Sequence, residues 1–320
     1  MTRGSLEAYI HSDFDEIKNK GYTVVKNILS NTENYKCDVM KDIDEIYSFY
    51  KTGYANTLIQ QYGMGDFESL WKCRHATLTT WQKLFGCDNL VSSWDGLSMV
   101  TPDQQIELAT HNNEYGEPGW IHRDQRRSNT NLLDTIQGYL ALSDTTPKSY
   151  STIFYIPKTH DTAQEMIDAF HNEFDTYKNR YGRNVRKNFE ENDYYAFDDT
   201  ELAWLRKHCE LCKPNLHKGD LLIWASSLPH AATSYASRTD VHDIETRIGT
   251  FISMHPKKLL NAQQLSERRK LSKLHLTSSH NVLHPQLFPY FVSKEKYKKR
   301  KNRQNELSYD MQIIRKSLIG

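Results

Sequence analysis

The stretch PGWIHRDQ, Pro118 to Gln125, sets a histidine and an aspartate two residues apart with an arginine between them. On a β-strand alternate side chains share a face, so His122 and Asp124 converge on one spot while Arg123 points the other way. An imidazole and a carboxylate on one face are half of a metal site. The other half has to come from a distant strand folded beside this one, and the fold is decided by whether the chain supplies it.

Outward from this stretch, the sequence from Leu90 reads as strands: LVSSWDGLSMVTP (90–102), QIELAT (105–110), GWIHRDQ (119–125), LLDTIQGYLALSD (132–144) and STIFYIPKTH (151–160). A charged, helix-favouring block over 161–208 interrupts them. Strands resume with GDLLIWASS (219–227) and TRIGTFISMH (246–255). On the N-terminal side, residues 5–20 read as one helix, with Ser5 as a possible cap and Gly21 as the stop, followed by the short strand YTVVKNIL (22–29). Tyr35, Val39, Ile43 and Tyr47 recur every four residues and predict a helix over 33–50; a further helix falls within 66–87, closing on Gly86. From residue 257 the tail is polar and basic and predicts helix. The expectation is helices around one central β-structure, with no interdomain linker and no internal repeat.

The missing half of the metal site is found in KGDLLIWASSLPH, which offers a turn, an apolar strand and then His230. Two imidazoles and one carboxylate on one side of a metal form the facial triad of non-haem Fe(II) oxygenases, which leaves positions open for cosubstrate and O₂. If 2-oxoglutarate is the cosubstrate, its distal carboxylate needs a buried cation, and arginine pairs with a carboxylate bidentately and stays charged. Arg247 opens a strand on which it shares a face with Gly249 and Phe251, and the small Gly249 is expected to leave room for a ligand beside it. Arg238 is the rival clamp, but ASRTDVHD around it reads as a polar loop.

At this point the sequence resembles a family, the phytanoyl-CoA dioxygenase-like (PhyH) branch of the Fe(II)/2-oxoglutarate-dependent oxygenases. The pieces that carry the resemblance are GYTVVKNILS, WIHRD, GYLALSDTT with FYIPKTH, KGDLLIWASSLPH and RIGTFISM, in that order over about residues 20–255. The resemblance implies a mainly β fold with flanking helices, a double-stranded β-helix or cupin-like jelly roll. It implies one domain over 1–320, with a helical insertion at about 161–208 and a helical, basic C-terminal extension at about 257–320. Fe(II) would be held by His122, Asp124 and His230, and Arg247 would hold the 2-oxoglutarate C5 carboxylate. Gln137, and Ser98 or Thr101, are further candidates for polar contacts in the pocket. The reaction implied is hydroxylation of an unidentified, small-molecule substrate by O₂, with release of succinate and CO₂. Asp124 fills the position a halide would need, which favours hydroxylation over halogenation. The chain departs from the family at Lys158 and Thr159, and at Ala232 and Tyr235 after the distal histidine, so the substrate does not carry over.

The bulk composition agrees with a globular protein: 38% of residues are hydrophobic and 12% aromatic, and 41 Lys+Arg against 40 Asp+Glu leave no whole-molecule field that demands nucleic acid or an anionic membrane. Five cysteines argue for a reducing compartment rather than a disulfide framework. The N-terminus has no apolar leader and no segment approaches the roughly 18 apolar residues of a membrane helix, so the expected location is cytoplasmic. Three features carry competing readings. CELC (209–212) beside His208 and His217 has the spacing of half a zinc site, but two structural thiols near a helix end is the plainer account. The basic run KEKYKKRKNR (294–303) is either a phosphate-contacting segment, the one sign of a nucleic-acid substrate, or a solvated helical face. Trp94, Trp120 and Trp224 either line a substrate cavity or fill the core. Against the enzyme stands a catalytically silent scaffold that uses the same pocket or basic tail to bind a partner.

Overall fold

The computed structural model describes residues 6–50, 57–126, 129–175, 194–288 and 307–320. The Ser5 cap and the 294–303 basic run lie outside them. Two antiparallel sheets dominate. The first contains β1 (Tyr22–Val25), β2 (Leu58–Ile59), β4 (Leu97–Val100), β6 (Ile136–Ala141), β10 (Leu221–Ala225) and β12 (Arg247–Ile252), in the order β1-β10-β6-β12-β4-β2. The second contains β5 (His122–Arg123), β7 (Ser151–Pro157), β8 (Tyr195–Ala196), β9 (Cys209–Cys212) and β11 (His230–Thr233), in the order β8-β5-β11-β7-β9. The sheets face each other: Phe154 of the second stacks on Tyr22 of the first at 5.1 Å and lies 6.1 Å from Trp224. This is the mainly β, jelly-roll architecture with flanking helices that the sequence implied, and neither sheet closes on itself.

The central strands are apolar on both faces because both faces are covered. Every residue of IQGYLA and LLIWA is buried, so the sequence there shows near-continuous apolar runs rather than alternation. Helix α3 (Glu68–Phe85) packs the indole of Trp81 over Gly138 of β6, where a Cβ would sit 2.8 Å from the ring. Helix α2 (Thr32–Tyr50) buries Val39 and Ile43 of the predicted stripe completely, with Ile46 beside them, while Tyr35 and Tyr47 are partly buried against the same core. Helix α5 (Ala163–Asp175) turns Ala163, Met166, Ile167, Phe170 and Phe174 inward, at the i, i+3, i+4, i+7 spacing of a covering helix.

Several expectations are corrected. Residues 6–20 are two 3₁₀ turns, Leu6–Tyr9 and Ser12–Phe14, followed by a short α1 (Asp15–Lys20) that does stop at Gly21 with φ 85°. His11 breaks the run, because its ring accepts from the Asp13 N–H and competes with a continuous helix. QIELAT is part of helix α4 (Pro102–Ala109): Thr101 caps it, Pro102 stands at its first position and Gln104 completes a capping box. The 161–208 block is not wholly helical. Between α5 and α6 (Asp199–His208), β8 adds an edge strand that pairs His122 with Ala196 and Arg123 with Tyr195. In the tail, α7 (Ala262–Ser272) and α8 (Tyr309–Ile319) are helical, but β14 (Thr277–Ser278) and β15 (Leu287–Phe288) form a ribbon between them. The remaining pair, β3 (Leu90–Ser92) and β13 (Met254–Pro256), forms its own two-stranded ladder.

The CELC segment is strand β9, paired with β7. Cys209 and Cys212 therefore point to opposite faces: Cys209 contacts the Met166 sulfur at 3.3 Å, and Cys212 lies 3.1 Å from the Tyr22 hydroxyl. Burial pushes the Cys209 thiol up to about 12, the reverse of what a metal thiolate needs. No described helix is long and apolar enough to cross a membrane.

Candidate active site

His122 and His230 stand directly opposite each other, because β5 and β11 pair in antiparallel register at these two residues. Asp124 lies just beyond β5, where its N–H donates to the Ser226 carbonyl at 2.8 Å. Its oxygens lie 3.5 Å from His122 Nε2 and 3.2 Å from His230 Nε2, and one ligand atom from each of the three residues falls within 4.8 Å of the others. Among the described residues this is the group of His, Cys, Asp and Glu side chains close enough to hold a metal ion.

The rings are oriented from behind. His122 Nδ1 lies 3.3 Å from the Trp120 carbonyl and His230 Nδ1 lies 2.8 Å from that of Leu228, so each Nδ1–H has an acceptor and each Nε2 presents its lone pair to the common centre. Gln137 donates to Asp124 Oδ2 at 2.8 Å, and His280 Nε2 sits 3.2 Å from the Asp124 carbonyl. Burial works against the Asp124 carboxylate, but His280, His122 and His230 around it outweigh burial and hold it well below the usual carboxylate range. Burial, and then His230, lower the His122 imidazole, keeping it neutral. A deprotonated carboxylate beside the neutral His122 imidazole suits a divalent cation. Arg123 points away, as the alternation predicted, and donates to His171 Nε2 at 3.0 Å beneath α5.

These side chains open on a cavity of about 430 Å³, which also exposes Arg247, Ser98, Gln137, Tyr150, Thr152 and Trp224. Arg247 is buried at 2% exposure, its guanidinium donates to Ser98 Oγ at 2.5 Å, and the Tyr139 and Tyr150 rings flank it at 4.1 and 5.3 Å. No carboxylate of a described residue pairs with it. Arg247 Nε and Trp224 Nε1, both in residues of the cavity lining, are buried without a hydrogen-bond partner, unmet donors that suit an anionic ligand. The expectation for Gly249 is corrected: a Cβ there would lie 2.2 Å from Tyr139, so the missing side chain makes room for the ring that supports Arg247 and not for a ligand. Thr101 is also corrected. It lies outside the cavity lining, its hydroxyl accepting from the Gln104 N–H at the start of α4. Arg238 is exposed in a 3₁₀ turn. Trp120 and Trp224 line the cavity, whereas Trp94 is core, its indole N–H donating to the Leu276 carbonyl.

The sequence model of the phytanoyl-CoA dioxygenase (PhyH) family matches residues 17–240. The chain belongs to this family. The family depends on Fe(II), 2-oxoglutarate and O₂, and the donor set and the unpaired Arg247 fit the first two. Among solved structures, GlcNAc Inducible Gene 2 from Candida albicans is similar with 13% identity and a TM-score of 0.53, covering 95% of this chain and 80% of that one. HygX from Streptomyces hygroscopicus, solved with nickel and 2-oxoglutarate, shares 11% identity at a TM-score of 0.44, covering 78% and 88%. EctD from S. alaskensis, solved with bound Fe, shares 12% at 0.43, covering 80% and 79%. At 13% identity the likeness to GlcNAc Inducible Gene 2 concerns the fold alone. No curated protein matches the chain.

Sequence reasoning missed several residues of this site. Asp95, Gln60, Tyr194, Ser279, His280, Gln286 and Phe288 all line the cavity. Asp95 and Gln60 carry no motif, and the last four sit in the C-terminal extension beyond the family match.

Proposed function

We propose that the protein is an Fe(II)- and 2-oxoglutarate-dependent hydroxylase of a small molecule, with His122, Asp124 and His230 as the iron ligands and Arg247 as the clamp on the cosubstrate's C5 carboxylate. The observation that carries this reading is that the three ligand side chains and an unpaired, buried arginine open on one cavity. When bound, Fe(II) supplies the O₂ chemistry: 2-oxoglutarate takes one oxygen atom and leaves as succinate and CO₂, and the other oxygen is inserted into a substrate C–H bond.

The chain's own residues do the remainder. Arg247, with Ser98 and the flanking tyrosines, fixes the cosubstrate's far end so that its keto-acid end is aimed at the ligand cluster. Gln137 holds the Asp124 carboxylate in place, and the Trp120 and Leu228 carbonyls hold the two imidazoles. Asp124 occupies the coordination position that a halide would otherwise take, which supports hydroxylation. Single changes His122→Ala, Asp124→Ala and His230→Ala are expected to abolish 2-oxoglutarate-dependent succinate formation while circular dichroism and melting stay those of a folded protein. Undiminished succinate formation in any one of them sinks the ligand assignment.

A further inference from the structure

The cavity carries a second feature, apart from the iron ligands and the arginine clamp. Asp95, 4% exposed, lies in the cavity wall just before β4. Its Oδ1 accepts from the Gln60 amide at 3.0 Å and from the Gly96 N–H at 2.6 Å. Its Oδ2 accepts from no described residue, and Asp95 forms no ion pair among them. Arg74 lies behind it, but that guanidinium donates to the carbonyls of Gly65 and Asp95 and not to the carboxylate. Burial prevails over Gln60, His280 and Arg74 and pushes the Asp95 carboxyl up, the sign of an anion whose partner is missing.

The charge in the cavity says which partner fits. The ionisable side chains that line it are Asp95, Asp124 and Arg247, with the imidazoles of His122, His230 and His280. Under the proposed reading, the iron and Arg247 are neutralised by Asp124 and the 2-oxoglutarate dianion, which leaves Asp95 as the cavity carboxylate without an ion pair among the described residues, with His280 and the buried Arg74 acting on it only through space. Aromatic rings line the same cavity. Trp120 and Tyr194 stand edge to face at 5.9 Å, and Phe288 reaches in from β15. Aromatic faces beside a carboxylate attract a cation and repel an anion. A cavity of about 430 Å³ is small for a site that holds cosubstrate as well as substrate, since ligand pockets run to ~1,000 Å³.

We propose that the substrate is a compact protonated amine, whose ammonium group donates to Asp95 Oδ2 while its carbon skeleton lies against Trp120, Tyr194 and Phe288. A phosphate-bearing substrate, such as a thioester of coenzyme A or a nucleic acid, would instead bring like charge towards Asp95. This inference rests on the oxygenase reading, and its test separates the two.

Anaerobic protein loaded with Fe(II) and 2-oxoglutarate is titrated in a calorimeter with three probes of one shape and different charge: cyclohexylamine, cyclohexanol and cyclohexanecarboxylate. The visible charge-transfer band of the iron–cosubstrate chelate is recorded on the same samples. The amine is expected to bind at least about tenfold more tightly than the alcohol, as a charge-assisted hydrogen bond implies, and the carboxylate not at all. In Asp95→Asn, the preference for amine over alcohol is expected to disappear. Equal or tighter binding of the alcohol or the carboxylate by the wild-type protein overturns the proposal, and so does the absence of saturable amine binding into the millimolar range. The wild-type comparison decides even if the variant does not fold. A normal band with no amine preference removes only the substrate class, whereas no band removes the oxygenase reading and this inference with it.

Discussion

His122 and His230 face each other across one rung of a β-ladder, so the site depends on side chains whose positions are set by register and by a few supporting hydrogen bonds. Gln137 is the most exacting of these supports, because its amide holds the same Asp124 oxygen that lies 3.2 Å from His230 Nε2. Replacing it with leucine is expected to weaken Fe(II) binding by about 10–100-fold, the usual effect of losing a partner behind a metal ligand. Equilibrium titration with Fe(II) checks this, and an unchanged dissociation constant contradicts it. Under the proposed reading, Arg247→Ala removes the cation that pairs with the cosubstrate carboxylate, a loss of about 2–5 kcal/mol in binding. The apparent KM for 2-oxoglutarate is then expected to rise at least about tenfold with the fold intact, as steady-state succinate assays would show. These residues were legible in the sequence because their chemistry is unusual and their spacing fits strands. Thr101 was misread because a capping box and a pocket hydroxyl look alike until the helix is seen. Asp95 and His280 left no local signal, since what marks them is three-dimensional: an unpartnered oxygen and a carbonyl contact with Asp124.

Among the elements, the large apolar strands and the periodic helices were read correctly, as was the two-residue β5, while several other short pieces were not. The strands at β6, β7, β10 and β12 are long enough for composition to decide, whereas β8, β14 and β15 have two residues each and exist through their partners. The element with the most distinctive anchoring is α8. Its Arg315 pairs with the buried Asp66 at 2.7 Å, and Asp66 also accepts from Trp71 Nε1 and lies 2.5 Å from His275 Nδ1. Burial opposes the Asp66 carboxylate, but the His275 and Arg315 contacts outweigh it and lower its pKa. A carboxyl lowered on folding adds stability above its unfolded pKa of about 3.9 and loses it as pH falls through the folded value. Asp66→Asn is therefore expected to be less stable than wild type at pH 7, by at most about 3–5 kcal/mol, because it leaves the partly buried Arg315 beside a neutral group. The gap should narrow in acid, below the ordinary carboxylate range. Urea unfolding at neutral and acidic pH measures both, and a gap that widens in acid contradicts the account. In the same helix, Leu318 packs with Ile319 against Trp71 and Trp94 at 2% exposure. Leu318→Ala is expected to cost about 2–5 kcal/mol, read from the same unfolding curves.

For the molecule as a whole, the C-terminal extension is the part that sequence patterning represented least well. It read as a polar, basic helical tail, yet α7 is tied to α8 and β3 through Arg268, which is fully buried and donates to the carbonyls of Ser92, Val282 and Ile319. The β14–β15 ribbon between them brings Ser279, His280, Gln286 and Phe288 into the cavity. A polar segment looks solvated when read alone, and only the docked structure shows that its backbone carbonyls are satisfied by a buried arginine. Two sheets, a clamped extension and one cavity thus meet at the His122, Asp124 and His230 cluster, and the central claim is that this cluster and Arg247 hold iron and 2-oxoglutarate together. The most direct test is anaerobic titration of the purified protein with Fe(II) and 2-oxoglutarate, following the weak visible charge-transfer band of the chelate, with Arg247→Ala in parallel. The account predicts a band in the wild type that needs much more 2-oxoglutarate to develop in the variant. No band in the wild type, with no detectable iron binding, would contradict it.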